Sequence, residues 1–256
     1  MKYKILSIIE LEGINYLWEK WELFQCNSLL YSDLQINIQF NAQWRYGIEV
    51  LNEQPGKPVL KFEDSLVCVN EDWTKAQITL FKQCREAVHK LLNAVLLTHL
   101  SSRNALEVHA SLINIHQTGI MFIGPSGIGK TTQAELWLRY YGAEIINGDR
   151  VFIKQEDETF WGCGSPWHGS SPYCLNKQVP LSALVVLKQG TNNKIRRLLG
   201  FEMVSAVISN VFFPTWYPAG YDISCQTFDA LLRSIPVYEL SCRPDEDAVK
   251  ITEEAV

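Results

Sequence analysis

The run Gly124-Pro125-Ser126-Gly127-Ile128-Gly129-Lys130-Thr131-Thr132 satisfies the pattern G-x-x-x-x-G-K-S/T, with a short apolar strand pattern before it and a helical pattern after it. Residues of these types in this order suit a chain of phosphates. Glycines let the backbone curl around an anion so that successive N–H groups point inward, and the helix start adds the positive end of its dipole. Lys130 would bring an ammonium to the β- and γ-phosphates of a nucleoside triphosphate, and the Thr131 hydroxyl would take a place on Mg²⁺. The loop does not name the acceptor of a phosphoryl group, or whether there is one.

Other positions could join this chemistry. Asp149 closes Glu144-Ile145-Ile146-Asn147-Gly148-Asp149, one helix and one strand after Lys130. A carboxylate there can hold Mg²⁺ or accept the proton of an attacking hydroxyl, although Asn-Gly-Asp also reads as a simple turn. His109 interrupts the apolar run Leu106 to Ile113, either as a packed core histidine or as a site residue. In Gly164-Ser165-Pro166-Trp167-His168-Gly169, small residues allow close backbone approach. Trp167 and His168 could then stack on or hydrogen-bond to a base or an acceptor; the alternative is a tight turn with Trp167 anchored in the core.

These residues need elements to hold them. Gly119 to Ile123 reads as a buried strand and Thr131 to Tyr141 as a helix, so the order is strand, glycine loop, helix. From Ala105 onward strands and helices alternate, the pattern of an α/β core. Leu181 to Leu187 reads as a central strand ending in Lys188, without the acid of a motor-type ATPase. Gly200 to Trp216 reads as a helix with an aromatic end, Pro236 to Cys242 as a last strand, and a C-terminal helix begins near Asp245. Before this core, short β patterns over residues 1 to about 70 (Tyr3 to Ile8, Leu34 to Phe40, Val59 to Phe62, Leu66 to Val69) give way to helical spacing from Asp72 to Ser101. That spacing is carried by Ile78, Phe81, Cys84, Val88, Leu91, Val95 and Leu100, with Asn70 or Asp72 as cap. The predicted division is a β-rich lobe plus connecting helix over residues 1–101 and a nucleotide-handling domain over residues 102–256.

Composition narrows the function classes. A chain of 256 residues with 47% hydrophobic and 20% charged residues is an ordinary globular one, and a net charge of −5 argues against nucleic acid as a partner. The basic stretch Lys194-Ile195-Arg196-Arg197 reads as a solvated strand edge. Seven widely spaced cysteines without a C-x-x-C pair read as reduced thiols, and Glu10 and Glu12 interrupt the apolar start. No stretch is apolar enough for a membrane span. The expectation is a cytoplasmic protein without membrane partners, its self-association left open.

Together His109, the loop Gly124 to Thr131, and Asp149-Arg150 resemble the catalytic core of the HPr kinase/phosphorylase family, bacterial protein-serine kinases whose core also resembles that of phosphoenolpyruvate carboxykinases. The resemblance implies an α/β fold with a P-loop, Lys130 on phosphate, Thr131 as Mg²⁺ ligand, Asp149 as general base and second metal contact, and His109 as active-site histidine. It covers about residues 105 to 190. Two departures stand out: Gly148 replaces the first of the family's paired aspartates, and the family's Glu before Arg-Gly-Leu-Gly has no counterpart. The Gly-Ser-Pro-Trp segment is instead similar to that of smaller relatives, some of them kinases that tailor ribosomally made peptides such as lasso peptides. Neither reverse phosphorolysis nor HPr as substrate therefore follows. The resemblance implies an ATP- and Mg²⁺-dependent kinase acting on a serine of a peptide or small protein, with Arg150, Ser165, Trp167 and His168 near the acceptor. A small-molecule alcohol kinase is one alternative. A nucleotide-binding regulatory module weakened by Gly148 is the other.

Overall fold

The computed structural model describes residues 1–12, 20–27, 31–40, 59–62, 65–80 and 85–256, which form a mixed α/β structure dividing into two compact units. The first unit comprises Met1–Ser102 and Pro214–Gly220, the second Arg103–Phe213 and Tyr221–Val256. The segment Pro214–Gly220 thus returns to the first unit, which no single cut in the chain can capture.

Among the described residues, the first unit holds a sheet of β1 (Lys2–Ile5), β2 (Ser7–Glu12), β3 (Leu34–Phe40), β4 (Val59–Phe62), β5 (Ser65–Val69) and β6 (Lys75–Leu80), in the order β1-β2-β3-β6-β5-β4. Helix α1 (Arg85–Ser101) packs on β4, β5 and β6 through a face that includes Val88, Leu91, Val95 and Leu100. The continuous helix expected from Asp72 is therefore replaced over Lys75–Leu80 by a strand. Ala76, Ile78 and Leu80 are buried at every second position, and Ile78 satisfies both periods. Asn70 and Asp72 cap no helix: Asn70 Oδ1 accepts from the N–H groups of Thr74 and Lys75, and Asp72 Oδ1 from that of Thr74, which shapes the β5–β6 turn. Phe81 and Cys84 lie outside the described residues. The returning segment is held by the Trp216 indole N–H, which donates to the Thr98 hydroxyl at 2.8 Å.

The second unit is built on β7 (Ala105–Ile115) and β8 (Thr118–Ile123), followed by α2 (Lys130–Tyr141), β9 (Glu144–Asn147), β10 (Arg150–Glu156), β11 (Thr159–Gly164) and β12 (Gln178–Gln189). Then come β13 (Lys194–Arg197), α3 (Gly200–Ile208), β14 (Val211–Phe212), α4 (Pro218–Ser234, in this unit from Tyr221 onward), β15 (Val237–Cys242) and α5 (Glu246–Glu253). Strand β12 runs parallel to both β8 and β15, while β7, β10 and β11 pair antiparallel. Because β11 also pairs with β12, the strands β7, β8, β12, β11 and β10 close on themselves.

Strand β8 shows why its run is apolar throughout. Met121 and Ile123 join a core with Leu231 and Leu232 of α4, whereas Ile120 and Phe122 join a second core with Trp137 of α2 and Val249 of α5. A strand buried on both faces has no polar alternation to show. The expected helix over Gly200 to Trp216 stops at Ile208: Val211 and Phe212 pair with β7, and Pro214 removes a helical donor. Helix α4 occupies residues to which the sequence reading assigns no element. Helix α5 begins beside Asp245 as expected, and the Asp245 side chain caps it by accepting from the Ala248 N–H. The basic stretch is the exposed strand β13, where Arg196 bonds Glu202 and Glu239.

Candidate active site

The loop between β8 and α2 turns on glycine: Gly127 at φ 78° and Gly129 at φ 112° occupy backbone space that side-chain-bearing residues rarely adopt. Helix α2 starts with no side-chain cap and no acid in its first turn, so no side chain takes up its leading N–H groups. Lys130 is only 6% exposed, and its ammonium donates to the carbonyls of Gly124 (3.0 Å) and Pro125 (3.2 Å). Burial lowers its pKa, and the charge of Asp149 partly offsets that. The Thr131 hydroxyl donates to the Gly148 carbonyl at 3.1 Å.

Opposite the loop, β9 and β10 both pair with β7, and Gly148-Asp149 joins them, the Ala110 N–H donating to the Asp149 carbonyl at 2.9 Å. Asn147, fully buried, shapes this turn: its Oδ1 accepts from the N–H groups of Asp149 (2.9 Å) and Arg150 (3.0 Å), while its Nδ2 donates to the carbonyls of Ser165 (2.9 Å) and Trp167 (3.3 Å). Asp149 is both the turn residue and the acid facing the loop. Its carboxylate Oδ1 stands 3.4 Å from His109 Nε2. The His109 contact is the largest cause holding the Asp149 carboxyl below the usual carboxylate range; burial opposes it, and the charges of His109, Arg150 and Lys130 assist. His109 is no sealed core residue, its side chain being 25% exposed.

A cavity of about 260 Å³ gathers Ser126, Gly127, Gly129, Lys130, Thr131 and Thr132 on one side, and His109, Gly148, Asp149, His168, Ser170 and Ser171 on the other. Of the residues singled out by sequence, Gly124, Pro125 and Ile128 support the loop from outside the cavity wall. Arg150, Ser165 and Trp167 do not border it. Arg150 donates to Glu107 Oε1 at 2.6 Å, Glu107 being fully buried, and lies over the Phe212 ring. The Ser165 hydroxyl, fully buried, donates to the Arg150 carbonyl, and Trp167 packs edge-on against Phe152. The expected acceptor loop thus splits, with Ser165 and Trp167 in the packed arrangement and His168 on the cavity, its Nδ1 within 2.6 Å of the Ser171 carbonyl oxygen.

Two features escape sequence reading. Asn147 is visible only as part of a turn signal. Ser171 carries no signal at all, yet a Cβ built on Gly148 would lie 1.9 Å from its hydroxyl oxygen and 2.5 Å from its Cβ. The place of a side chain at 148 is already taken.

No family model matches the chain. It is 30% identical over 155 residues to the HPr kinase/phosphorylase of Bacillus cytotoxicus, covering 56% of this chain and 47% of that protein. It is 29% identical over 134 residues to that of Geobacillus thermodenitrificans, covering 48% and 41%. It is 24% identical over 110 residues to that of Mycoplasmopsis pulmonis, covering 43% and 32%. The chain spans less than half the length of these relatives. A solved Hpr(Ser) kinase/phosphatase from Coxiella burnetii aligns at a TM-score of 0.35 and 12% identity over 57% of this chain and 91% of that one, too weak a likeness for inference.

Proposed function

For a chain related to the HPr kinase/phosphorylase superfamily, we propose an ATP-dependent kinase that transfers the γ-phosphoryl group to a hydroxyl, most simply a serine of a peptide or small protein. The observation that carries this reading is the convergence of Lys130, Thr131, Asp149 and His109 on one cavity at the head of α2. The glycine loop and helix start would bind the phosphates as a P-loop does, and the Lys130 ammonium, now on loop carbonyls, would exchange them for phosphate oxygens.

The donor set fits Mg²⁺. The Thr131 hydroxyl and the Asp149 carboxylate are hard oxygen ligands on the two sides of the cavity, and Mg²⁺ takes one or two carboxylates, substrate phosphates and water. Among the described residues there is no cluster of three or more His, Cys, Asp or Glu that could hold a metal ion. Bound there, the ion would neutralise charge on the phosphates.

In the transfer, the acceptor oxygen forms a bond to the γ-phosphorus as the bond to the β-γ bridging oxygen breaks, and ADP leaves. Asp149 accepts the hydroxyl proton. Its depressed pKa makes it a weak base, which suits a loose transition state where orienting the hydroxyl matters more than removing its proton early. His109 Nε2, 3.4 Å from the carboxylate, would orient it. The cytoplasm, where ATP is found and thiols stay reduced, is the compartment this reading requires. No described helix is long and apolar enough to cross a membrane.

The test is incubation with γ-labelled ATP and candidate peptides, locating label by mass spectrometry. Lys130→Ala should lose nucleotide binding, and Asp149→Asn should bind ATP without transfer. Transfer by Asp149→Asn at the wild-type rate would overturn the base assignment. A second reading, a regulatory module that binds nucleotide without transfer, is favoured by Ser171 filling the place of a side chain at Gly148. Measurable ATP affinity with no labelled product would support it.

A further inference from the structure

A second cavity, about 360 Å³, shares Gly127, Gly129 and Thr132 with the first but none of His109, Asp149 or His168. Its remaining wall is Ile128 and Gln133 with two short segments, Leu187–Gly190 and Cys242–Pro244. These segments end β12 and β15, strands that run parallel to β8, which feeds the glycine loop. The cavity therefore lies outside the carboxyl ends of three neighbouring parallel strands, where α/β sheets take ligands. Its size suits a nucleoside.

Gln133 gives an independent sign of a missing ligand. It is 2% exposed, and its Nε2 has no hydrogen-bond partner among the described residues. Its Oε1 has only a weak thiol contact, from Cys242 Sγ at 4.0 Å. A buried amide donor without an acceptor is costly and rare, and at a cavity wall it marks a place where an acceptor arrives with a ligand. Gln133 belongs to α2, three residues after Lys130, so this donor is fixed relative to the phosphate-binding ammonium by the helix itself. Leu187, Ile128 and Pro244 supply apolar surface for a flat ring.

We propose that this cavity receives the base and ribose of the triphosphate, with Gln133 Nε2 donating to an acceptor atom of the base. The proposal rests on the nucleotide reading above and extends it from phosphates to nucleoside. The probes are ATP and inorganic tripolyphosphate, titrated by calorimetry into the wild-type protein and Gln133→Met, a near-isosteric change that removes the donor. Gln133→Met should weaken ATP binding about three- to tenfold and leave tripolyphosphate unchanged. Unchanged ATP affinity, or equal weakening of both ligands, would overturn the proposal. Wild-type protein that binds tripolyphosphate as tightly as ATP would overturn the nucleoside cavity but leave the phosphate cradle standing; binding neither would remove both. Photolabelling of the wild-type protein with 8-azido-ATP decides the matter without a variant: label within residues 187–190 or 242–244 supports the assignment, and label confined to other segments refutes it.

Discussion

Gly148→Ala tests the packing that separates this site from one with paired aspartates. A Cβ at 148 would stand 1.9 Å from Ser171 Oγ and 2.5 Å from Ser171 Cβ. Rotating the hydroxyl away relieves the first contact but not the second, so backbone must move. Ser171 is 8% exposed, its Oγ accepts from the Tyr173 N–H, and its carbonyl oxygen meets His168 Nδ1, so movement disturbs the cavity wall. Overpacking of this kind costs about 1–3 kcal/mol, less about 0.5–1 kcal/mol recovered from the stiffer unfolded chain, since Gly148 is not at positive φ. The net loss, up to about 2.5 kcal/mol, lowers the melting transition of the second unit by up to roughly 10 °C. Ser171→Gly removes both clashing atoms. The double variant should therefore be more stable than the sum of the singles by at least about 1 kcal/mol, beyond the scatter of independent sites. Thermal and urea denaturation of the four proteins measures this coupling; strict additivity of the two substitutions would refute the geometry. The same construction implies that an aspartate at 148 is tolerated only alongside Ser171→Gly.

Asn147→Ala removes four hydrogen bonds from a fully buried hub and should cost about 2–4 kcal/mol in urea denaturation while lowering turnover more than ATP affinity, because Asp149 loses its fixed turn. Arg150→Ala withdraws the cation from the fully buried Glu107 and should cost about 3–5 kcal/mol, with recovery when Glu107→Gln is added. Asp149 has a pKa below its ordinary 3.8, so the stability it contributes is present above that value and lost as pH falls through the folded one. The acid limb of turnover should accordingly move to higher pH in His109→Ala, which pH–rate profiles would show. Cys163, its thiol pushed up to about 12 by burial, should resist iodoacetamide in the folded protein under conditions where the exposed Cys68 reacts, as peptide mapping would show.

Local chemistry made much of this protein legible. The glycine loop needs its residues in one order, so β8, the loop and α2 stand where the run Gly119 to Tyr141 predicts them. Asp245 caps α5 because a cap acts within three residues of itself. Where two periods fit one segment, the sequence could not choose: Ile78 suits a helix or a strand, and pairing of β6 with β3 and β5 decided for the strand. Phe212 belongs to an apparent helix until β7 offers it a partner.

The candidate site divides in the same way. Lys130, Thr131 and Asp149 stand out because the pattern that selects them rests on residue type and distance along the chain. The burial of Trp167, the engagement of Arg150 by Glu107, the hub at Asn147 and the donor left open on Gln133 depend on what lies across the fold, and no local pattern encodes that. Gly148 shows the limit most plainly. Its sequence states that a side chain is missing, and only the tertiary structure, by setting Ser171 in that space, decides that one cannot simply be put back, because two atoms cannot share one volume.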